Sequence, residues 1–493
     1  MNVNPNPTQP TPFLDALQTA ANASAALFCT PGHKQGHSAP PEIAQLLGHS
    51  VFHADLPDLP GFNLFEPDGF VATAQALAAE TFGADRTWFL VNGSTVGIAA
   101  AILATCGPGD KLILPRNTHQ SAISGLILSG AMPIFIPPDT DPHTGLAYCI
   151  APDAVALALN QHPDAKAVLM VSPTYQGVCG NVMAIAELAH RHPIPLIVDE
   201  AHGAHFAFHP QLPTPALAAG ADLVVQSTHK TLSALTQAAM LHLRGTHIDA
   251  VRVTQALQLL QSSSPSNLLL ASLDAARQQM ATEGESLLTQ TLALAHQARS
   301  HLQTLPGLSV LEPSPDRSAG FCDLDPTRLT VDLSDLTLDG YGADELLSQS
   351  FGVVAELPLL RHLTFILSIG NTPADIARLL NALEALAADY ASLQTKPTPL
   401  VSLSLPPVLD IPALSPRDAF FAPQALVPLE QAVGCISAAT LCPYPPGIPL
   451  ILPGEIITSD AIAQLRAIQA AGGFISGNPD AEMTQILVVR PCL

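Results

Sequence analysis

Basic residues are scarce in this chain. Nineteen Lys and Arg stand against 41 Asp and Glu, a formal charge of −22 over 493 residues. Such a surface repels phosphates and has no Lys/Arg patch to release counterions, which excludes nucleic-acid binding and agrees with small cationic substrates. Long apolar runs are also missing. Mean hydropathy is +0.30, yet the richest segments, such as Ile98 to Cys106, end at Gly, Pro or charge, short of the roughly eighteen residues a membrane span requires. A soluble protein with no membrane partner is expected. The eight cysteines form no C-x-x-C pair, and Cys435 and Cys442 have neither metal-site nor secreted-scaffold spacing, so they read as reduced thiols in a cytoplasm. The segment Met1 to Pro10 has no basic region and no apolar core; it reads as a frayed arm rather than a signal peptide. Internal repeats are absent.

What is present is alternation. Short apolar runs at Thr87–Val91, Lys111–Leu114, Met132–Ile136, Ala167–Val171, Pro195–Val198, Leu223–Gln226 and Ala239–Leu243 have strand length. Between them, Val96–Cys106, Ser121–Ser129, Ala151–Asn160 and Val182–His190 have helix length and period. This is an α/β chain wound around a mostly parallel sheet with helices on both faces. A long helical stretch follows from Pro265 to Leu305, then strands at Leu329–Leu333, Val353–Glu356 and Leu363–Ser368 with helices near Asp344–Ser350 and Pro373–Leu393. The organisation expected is an N-terminal arm (1–60), a major domain (61–305), a small α+β domain (306–393), a Pro/Ser-rich linker (394–408) and a C-terminal domain (409–493).

Chemistry concentrates where those strands end. Asp199 closes the run Leu196-Ile197-Val198, and Lys230 closes Ser227-Thr228-His229 after the next strand. An acid at one strand end and a lysine at the next is the frame of a pyridoxal-phosphate (PLP) site: the amine bonds the aldehyde, and the carboxylate keeps the pyridine nitrogen protonated. Lys34, in a Gly/Pro loop without an upstream acid, is the weaker rival. Asn92-Gly93-Ser94-Thr95 joins a strand to an Ala-rich helix; small residues, two hydroxyls and a helix N-terminus make a phosphate cup, where an isolated G-S-T would be read as an ordinary cap. His119, on the loop after the second strand, is placed to stack on the pyridine ring, and His229 to meet the phosphate or move a proton. His202 and His205 with Asp199 and Glu200 read weakly as metal ligands, because H-x-x-H without H-E-x-x-H spacing or a further ligand is a poor signal; no metal is expected.

With these residues in hand, the chain closely resembles the prokaryotic ornithine/lysine/arginine decarboxylases of the aspartate-aminotransferase-like, fold-type-I PLP class. The resemblance rests on T-P-G-H-K-Q-G at Thr30, F-G-A-D-R-T-W-F-L-V-N-G-S-T at Phe82, P-R-N-T-H-Q-S at Pro115, S-P-T-Y-Q-G at Ser172, V-D-E-A-H-G-A-H-F at Val198, Q-S-T-H-K-T-L at Gln226, Q-S-S-S-P-S at Gln261 and P-Y-P-P-G-I-P-L-I-L-P-G-E at Pro443, in family order. It implies PLP on Lys230, Asp199 at the pyridinium, His119 over the ring, and Gly93, Ser94, Thr95, His202, Ser227 and His229 around the cofactor. It further implies that Ser262 and Ser263 reach the neighbouring subunit's phosphate, so that a homodimer shares each active site. Two departures stand out: Gly61-Phe62-Asn63-Leu64-Phe65-Glu66-Pro67 has Asn and Phe where many relatives carry Asp and His, and no response-regulator-like wing is expected, so large ring assemblies are not inferred.

The implied reaction is decarboxylation of lysine, arginine or ornithine to a diamine or agmatine. Cofactor motifs alone do not select the bond broken, so transamination, aldol cleavage and a non-catalytic regulatory subunit are the alternatives. A basic substrate's distal cation needs a counter-charge. Glu455, presented by the stiff turn Pro443–Pro449, is the candidate, with a plain cap of the following segment as the other reading; Arg361 is a second substrate candidate.

Overall fold

A computed structural model of the chain describes residues 9–490 apart from 24, 58, 314–317, 391–410, 445–446, 471–472 and 481. The expected linker at 394–408 lies outside the described residues. All seven expected strands form, each end within two residues of its expected place: β1 Arg86–Leu90, β2 Lys111–Pro115, β3 Met132–Ile136, β4 Ala165–Val171, β5 Leu196–Asp199, β6 Leu223–Gln226 and β7 Ala239–Leu243. They make one sheet in the order β1-β7-β6-β5-β4-β2-β3, parallel except that β7 runs antiparallel to both its neighbours. Because β5 and β6 are buried at every position, they read as unbroken apolar runs, as expected of strands covered on both faces.

One consequence of this winding fixes the site. Strands β1, β2, β4, β5 and β6 all point their carboxyl ends to the same sheet edge, so the loops beginning at Asn92, Arg116, Ser172, Asp199 and Ser227 gather there. Beneath that edge a buried polar chain crosses the strands. Thr87 bonds His242 Nδ1 at 2.8 Å, His242 Nε2 meets Gln226 Oε1 at 3.1 Å, and Gln226 Nε2 donates to Glu200 at 2.7 Å. Each polar atom so placed inside a sheet is satisfied by its neighbour.

The helical stretch expected from Pro265 is a single helix, Asn267–Leu302, of 36 residues, about 54 Å long. Near its start Leu270, Leu273 and Met280 pack with Phe13 and Leu17 of the helix Pro12–Ala21, whose Phe13 and Leu14 amides donate to the buried Asp274 carboxylate. Phe13 and Leu17 are thus part of the core. At its other end Ala295, Ala298 and Leu302 enter the core of a small antiparallel sheet. That sheet runs Leu357–Pro358, His362–Ile366, Arg328–Asp332, Ser309–Val310. The strand expected at Val353–Glu356 is displaced to Leu357–Pro358: Val354 points to solvent, and pairing with Thr364 begins only at the Glu356 amide. A C-terminal unit with its own core (Leu441, Ile451, Ile457, Leu465, Ile486) carries the paired strands Gln424–Pro428 and Gln485–Val489.

Candidate active site

Lys230 and Asp199 meet at the edge of the sheet. Val225 of β6 pairs with Asp199 at the end of β5, and one turn of helix, Thr228–Thr231, carries Lys230, whose charge acts on that acid. Burial pushes the Asp199 carboxyl up while the Lys230 charge and the Ala201 amide draw it down; the Lys230 amine is lowered, by burial first, with Asp199 and Glu356 opposing and Arg328 assisting. A lysine depressed in this way has a larger share of the neutral, nucleophilic amine. Lys34, the rival, donates to the Cys29 carbonyl, and it is Lys230 whose charge reaches Asp199.

His202 lies between that amine and an arginine the sequence reading missed. Its Nε2 is 3.0 Å from Lys230 Nζ, and Arg328 Nη2 sits 3.3 Å from its Nδ1 and donates to its carbonyl at 3.0 Å. A guanidinium has no lone pair to offer, so Nδ1 must accept from it and the ring's proton sits on Nε2, on the side of the Lys230 amine. Burial and the Lys230 and Arg328 charges hold His202 well below the usual histidine range. Tyr175 closes the group, its ring 4.6 Å from His202 and 5.7 Å from Lys230 Nζ. The turn Thr174–Gly177 that carries it requires glycine: at φ +89°, a Cβ on Gly177 would stand 2.7 Å from the Arg328 stem. Glu356, exposed at the small sheet's edge, acts electrostatically on His229, Lys230 and Arg328.

His119 caps the helix Gln120–Ser129 by accepting from the Ser121 amide at 3.1 Å, and burial with the Lys230 charge lowers it to about 4. It is therefore a neutral ring at physiological pH. His229 directs Nδ1 at the Ala238 carbonyl, 2.9 Å away, which leaves Nε2 as its acceptor. At the candidate cup the helix Gly93–Thr105 begins on Gly93 at φ +75°, and Ser227 Oγ meets Ser94 Oγ at 2.8 Å. Asn92 does not cap this helix; its side chain accepts from the Ser262 amide at 3.2 Å instead. The first-turn amides, including those of Ser94 and Thr95, are thereby left to an anion. An acid for a ring nitrogen, a lysine amine for an aldehyde and an uncapped helix start for a phosphate fit the groups PLP presents. Ser262 and Ser263 are exposed beside this cup in the single chain.

The other candidate residues have surroundings of their own. The residues weighed as metal ligands diverge: His205 pairs with Asp325 at 3.2 Å, Glu200 with Gln226 and the Ala216 amide, and His202 with Lys230. Glu455 does not stand as an unpartnered carboxylate. The turn before it docks beside His119, Gln120 N donating to Gly447 O, but Arg116 grips Glu455 in a fork (Nε–Oε1 3.1 Å, Nη2–Oε2 2.9 Å) and the Leu452 amide adds a third bond at 3.0 Å. Arg361 sits in the turn between Leu357–Pro358 and His362–Ile366, partly buried with Nη2 unpartnered; Arg328, not Arg361, reaches the lysine's neighbour. Phe62 and Leu64 of the departing 61–67 segment are buried core residues.

The fold and this site define a fold-type-I, PLP-class architecture. The Orn/Lys/Arg decarboxylase major-domain model matches residues 11–318 and the family's C-terminal-domain model residues 409–480; the chain belongs to that family. It is 39% identical over 481 residues to an arginine decarboxylase of Bacillus subtilis, covering 97% of this chain and 98% of the relative. A lysine decarboxylase of Pseudomonas aeruginosa is 27% identical, covering 94% of this chain and 76% of its own length. The solved structure of lysine decarboxylase A from Pseudomonas aeruginosa superposes with TM-score 0.81 at 24% identity over 97% of this chain and 80% of that one, a likeness of fold. Among the described residues, no helix is long and apolar enough to cross a membrane.

Proposed function

We propose that the protein is a PLP-dependent decarboxylase of basic amino acids that acts on L-arginine. The observation that carries the reading is the Lys230 amine, held beside buried Asp199 and within 3.0 Å of His202. The preference for arginine is supported by the relatives named arginine decarboxylase at 38–39% identity, against 27% for the lysine decarboxylase. Bound on Lys230, PLP supplies the sink that accepts the electron pair left when the carboxylate departs.

The chain's own residues then divide the work. Asp199 holds a proton on the ring nitrogen, and its burial strengthens that charge contact. Neutral His119 would stack against the cofactor ring without competing for the charge. The amides of Gly93, Ser94 and Thr95 and the hydroxyls of Ser94, Thr95 and Ser227 would hold the phosphate, completed by the partner subunit's Ser262 and Ser263 in a homodimer, while His229, with Nε2 as an acceptor, is suited to taking a proton rather than to binding the phosphate. His202, fixed by Arg328, orients the lysine amine, so that after substrate binding Lys230, once protonated, is the group best placed to return a proton to Cα. Glu356, the carboxylate that acts on Lys230 from the small domain, is the counter-charge for the substrate's distal cation. Such an enzyme works in the cytoplasm, where both substrate and cofactor are made available.

Purified PLP-loaded protein given arginine, lysine and ornithine should release CO2 with agmatine as the fastest-formed amine. A keto acid or aldehyde product would overturn decarboxylation; cadaverine or putrescine formed faster than agmatine would overturn the substrate.

A further inference from the structure

At the opposite edge of the same sheet, three side chains from three separate elements converge. Asp222 immediately precedes β6; His190 lies in the last turn of the helix Val182–Arg191; His247 lies on the loop after β7. His190 Nε2 is 2.8 Å from Asp222 Oδ2, His247 Nδ1 is 2.8 Å from Oδ1, and the ligand atoms all fall within 4.8 Å of one another. The two imidazoles stack, centroids 4.5 Å apart and planes 16° apart, so both present a nitrogen to one carboxylate. Among the described residues this is the one grouping of three such donors. We propose that His190, Asp222 and His247 form a binding site for a divalent transition-metal ion of the zinc type.

Two imidazoles and a carboxylate are a borderline nitrogen/oxygen set that suits zinc, cobalt, nickel or copper rather than magnesium or calcium. Donors about 2.0–2.1 Å from a tetrahedral ion lie about 3.3 Å from each other, so the triad closes on an ion with shifts of about 1 Å or less per donor. Each ring now places an N–H in the carboxylate's hydrogen bond. On binding, that proton moves to the ring's far nitrogen and the near lone pair goes to the ion; no other reactant is needed. The Leu196 amide donates to Asp222 Oδ2 at 2.8 Å and fixes the carboxylate's orientation as an outer-shell partner should. Access is open: the histidine side chains are 33% and 35% exposed against 4% for the aspartate, and His247 also lines a cavity of about 640 Å³. This leaves room for a water in the fourth position.

The site is far from the reacting atoms. β6 runs four residues from Asp222 to the Ser227 turn, about 13 Å, so an ion here staples a helix, a strand and a loop without touching Lys230. Its role is structural, and it is independent of the catalytic reading. PLP-loaded full-length protein, stripped with a chelator and dialysed, is titrated with Zn²⁺ alone in competition with a chromophoric chelator. One ion per chain is expected, with a Kd on the order of 1 µM or tighter. His190→Ala and His247→Ala should each weaken binding by about 100-fold, while His143→Ala, on an exposed loop, should not, and turnover should match with and without the ion. Fewer than half an ion per chain, or unaltered affinity in the His190 and His247 variants, overturns the site. Should those variants lose turnover and hence folding, acylation of wild-type histidines mapped by peptide mass decides: Zn²⁺ must protect His190 and His247, and equal labelling with and without Zn²⁺ overturns the proposal.

Discussion

Two aspartates on neighbouring strands of one sheet do opposite things. Asp199 ends β5 at the edge where the motif loops converge; Asp222 immediately precedes β6 at the other edge. Both are buried. Asp199 has one backbone donor, the Ala201 amide at 3.1 Å, and a lysine whose amine is itself depressed, so much of its hydrogen-bonding capacity remains for a ligand. Asp222 has two imidazoles and an amide, each at 2.8 Å, and is satisfied by the fold. Burial alone therefore does not mark a catalytic acid. The difference lies in what is left unpaired, because an under-satisfied buried carboxylate costs stability that only a bound partner returns.

The comparison breaks first at Lys230. Lys230→Ala should abolish the covalent link to PLP and lower turnover by on the order of 10⁴-fold or more, with Zn²⁺ binding at the far edge unchanged. Borohydride reduction of wild-type holoenzyme followed by peptide mapping should place the label on Lys230; label on Lys34 would return the rival lysine.

Much of this architecture is visible in local pattern. The seven strands and the loops after them are set by apolar runs and small residues within a few positions, and parallel winding brings those loops to one edge without further information. What cannot be read locally is pairing over distance. Arg328 reaches His202 across 126 residues and Arg116 reaches Glu455 across 339. A buried arginine in Asp325-Pro326-Thr327-Arg328 looks like any strand start. Tyr175 stood inside a recognised motif without a role, since only the turn forced by Gly177 shows where its ring points. Glu455 illustrates the converse: the turn docks where its stiffness suggests, but a carboxylate takes the nearest guanidinium, and Arg116 had no local mark. His190, Asp222 and His247 come from a helix end, a strand start and a loop that only the closed sheet brings together.

Asp199→Asn sharpens the contrast between the two acids. It should bind PLP yet lose about 100-fold in turnover, the scale for removing one preorganised charge, roughly 3 kcal/mol. Stability should hold or rise, because a neutral amide is cheaper to bury. A near-wild-type rate measured under saturating PLP would end the assignment.

Titration should separate the edges as well. Burial raises the Glu200 carboxyl, next to Asp199, to about 8 from an ordinary 4.5. Between those values the folded state binds more protons than the unfolded one. Glu200 therefore contributes stability that is full below about pH 4.5 and lost as pH rises through 8, at up to about 1.4 kcal/mol per pH unit. Glu200→Gln leaves an amide donor facing Gln226 and lowers stability at acid pH, but this slope should vanish from denaturant midpoints taken between pH 5 and 8. An identical slope in the variant would mean that Glu200 is ionised in the fold.

At the amino edge the same chemistry predicts the reverse of Asp199→Asn. Asp222→Asn turns an acceptor for three donors into a group with one donor of its own, leaving a buried N–H opposed. A loss of about 2 kcal/mol in stability is expected, with kcat and KM for arginine within twofold of wild type. A catalytic loss comparable to that of Asp199→Asn, without unfolding, would erase the distinction between the two edges.

The smallest effect belongs to the contact that joins the C-terminal unit to the site's rim. Arg116 leaves β2 three residues before His119 and holds Glu455 in its fork while donating to the Pro449 and Leu450 carbonyls at 2.7 and 2.9 Å. Side chains 13% and 22% exposed place this pair between a surface bridge and a buried one, so Glu455→Gln should cost about 1 kcal/mol. The amide keeps one bond to the guanidinium and the turn stays docked, so KM for arginine, lysine and ornithine should not move. If instead KM rises for all three while the denaturant midpoint is unchanged, Glu455 is the counter-charge of the substrate and Arg116 only its holder, and Glu356 loses that role.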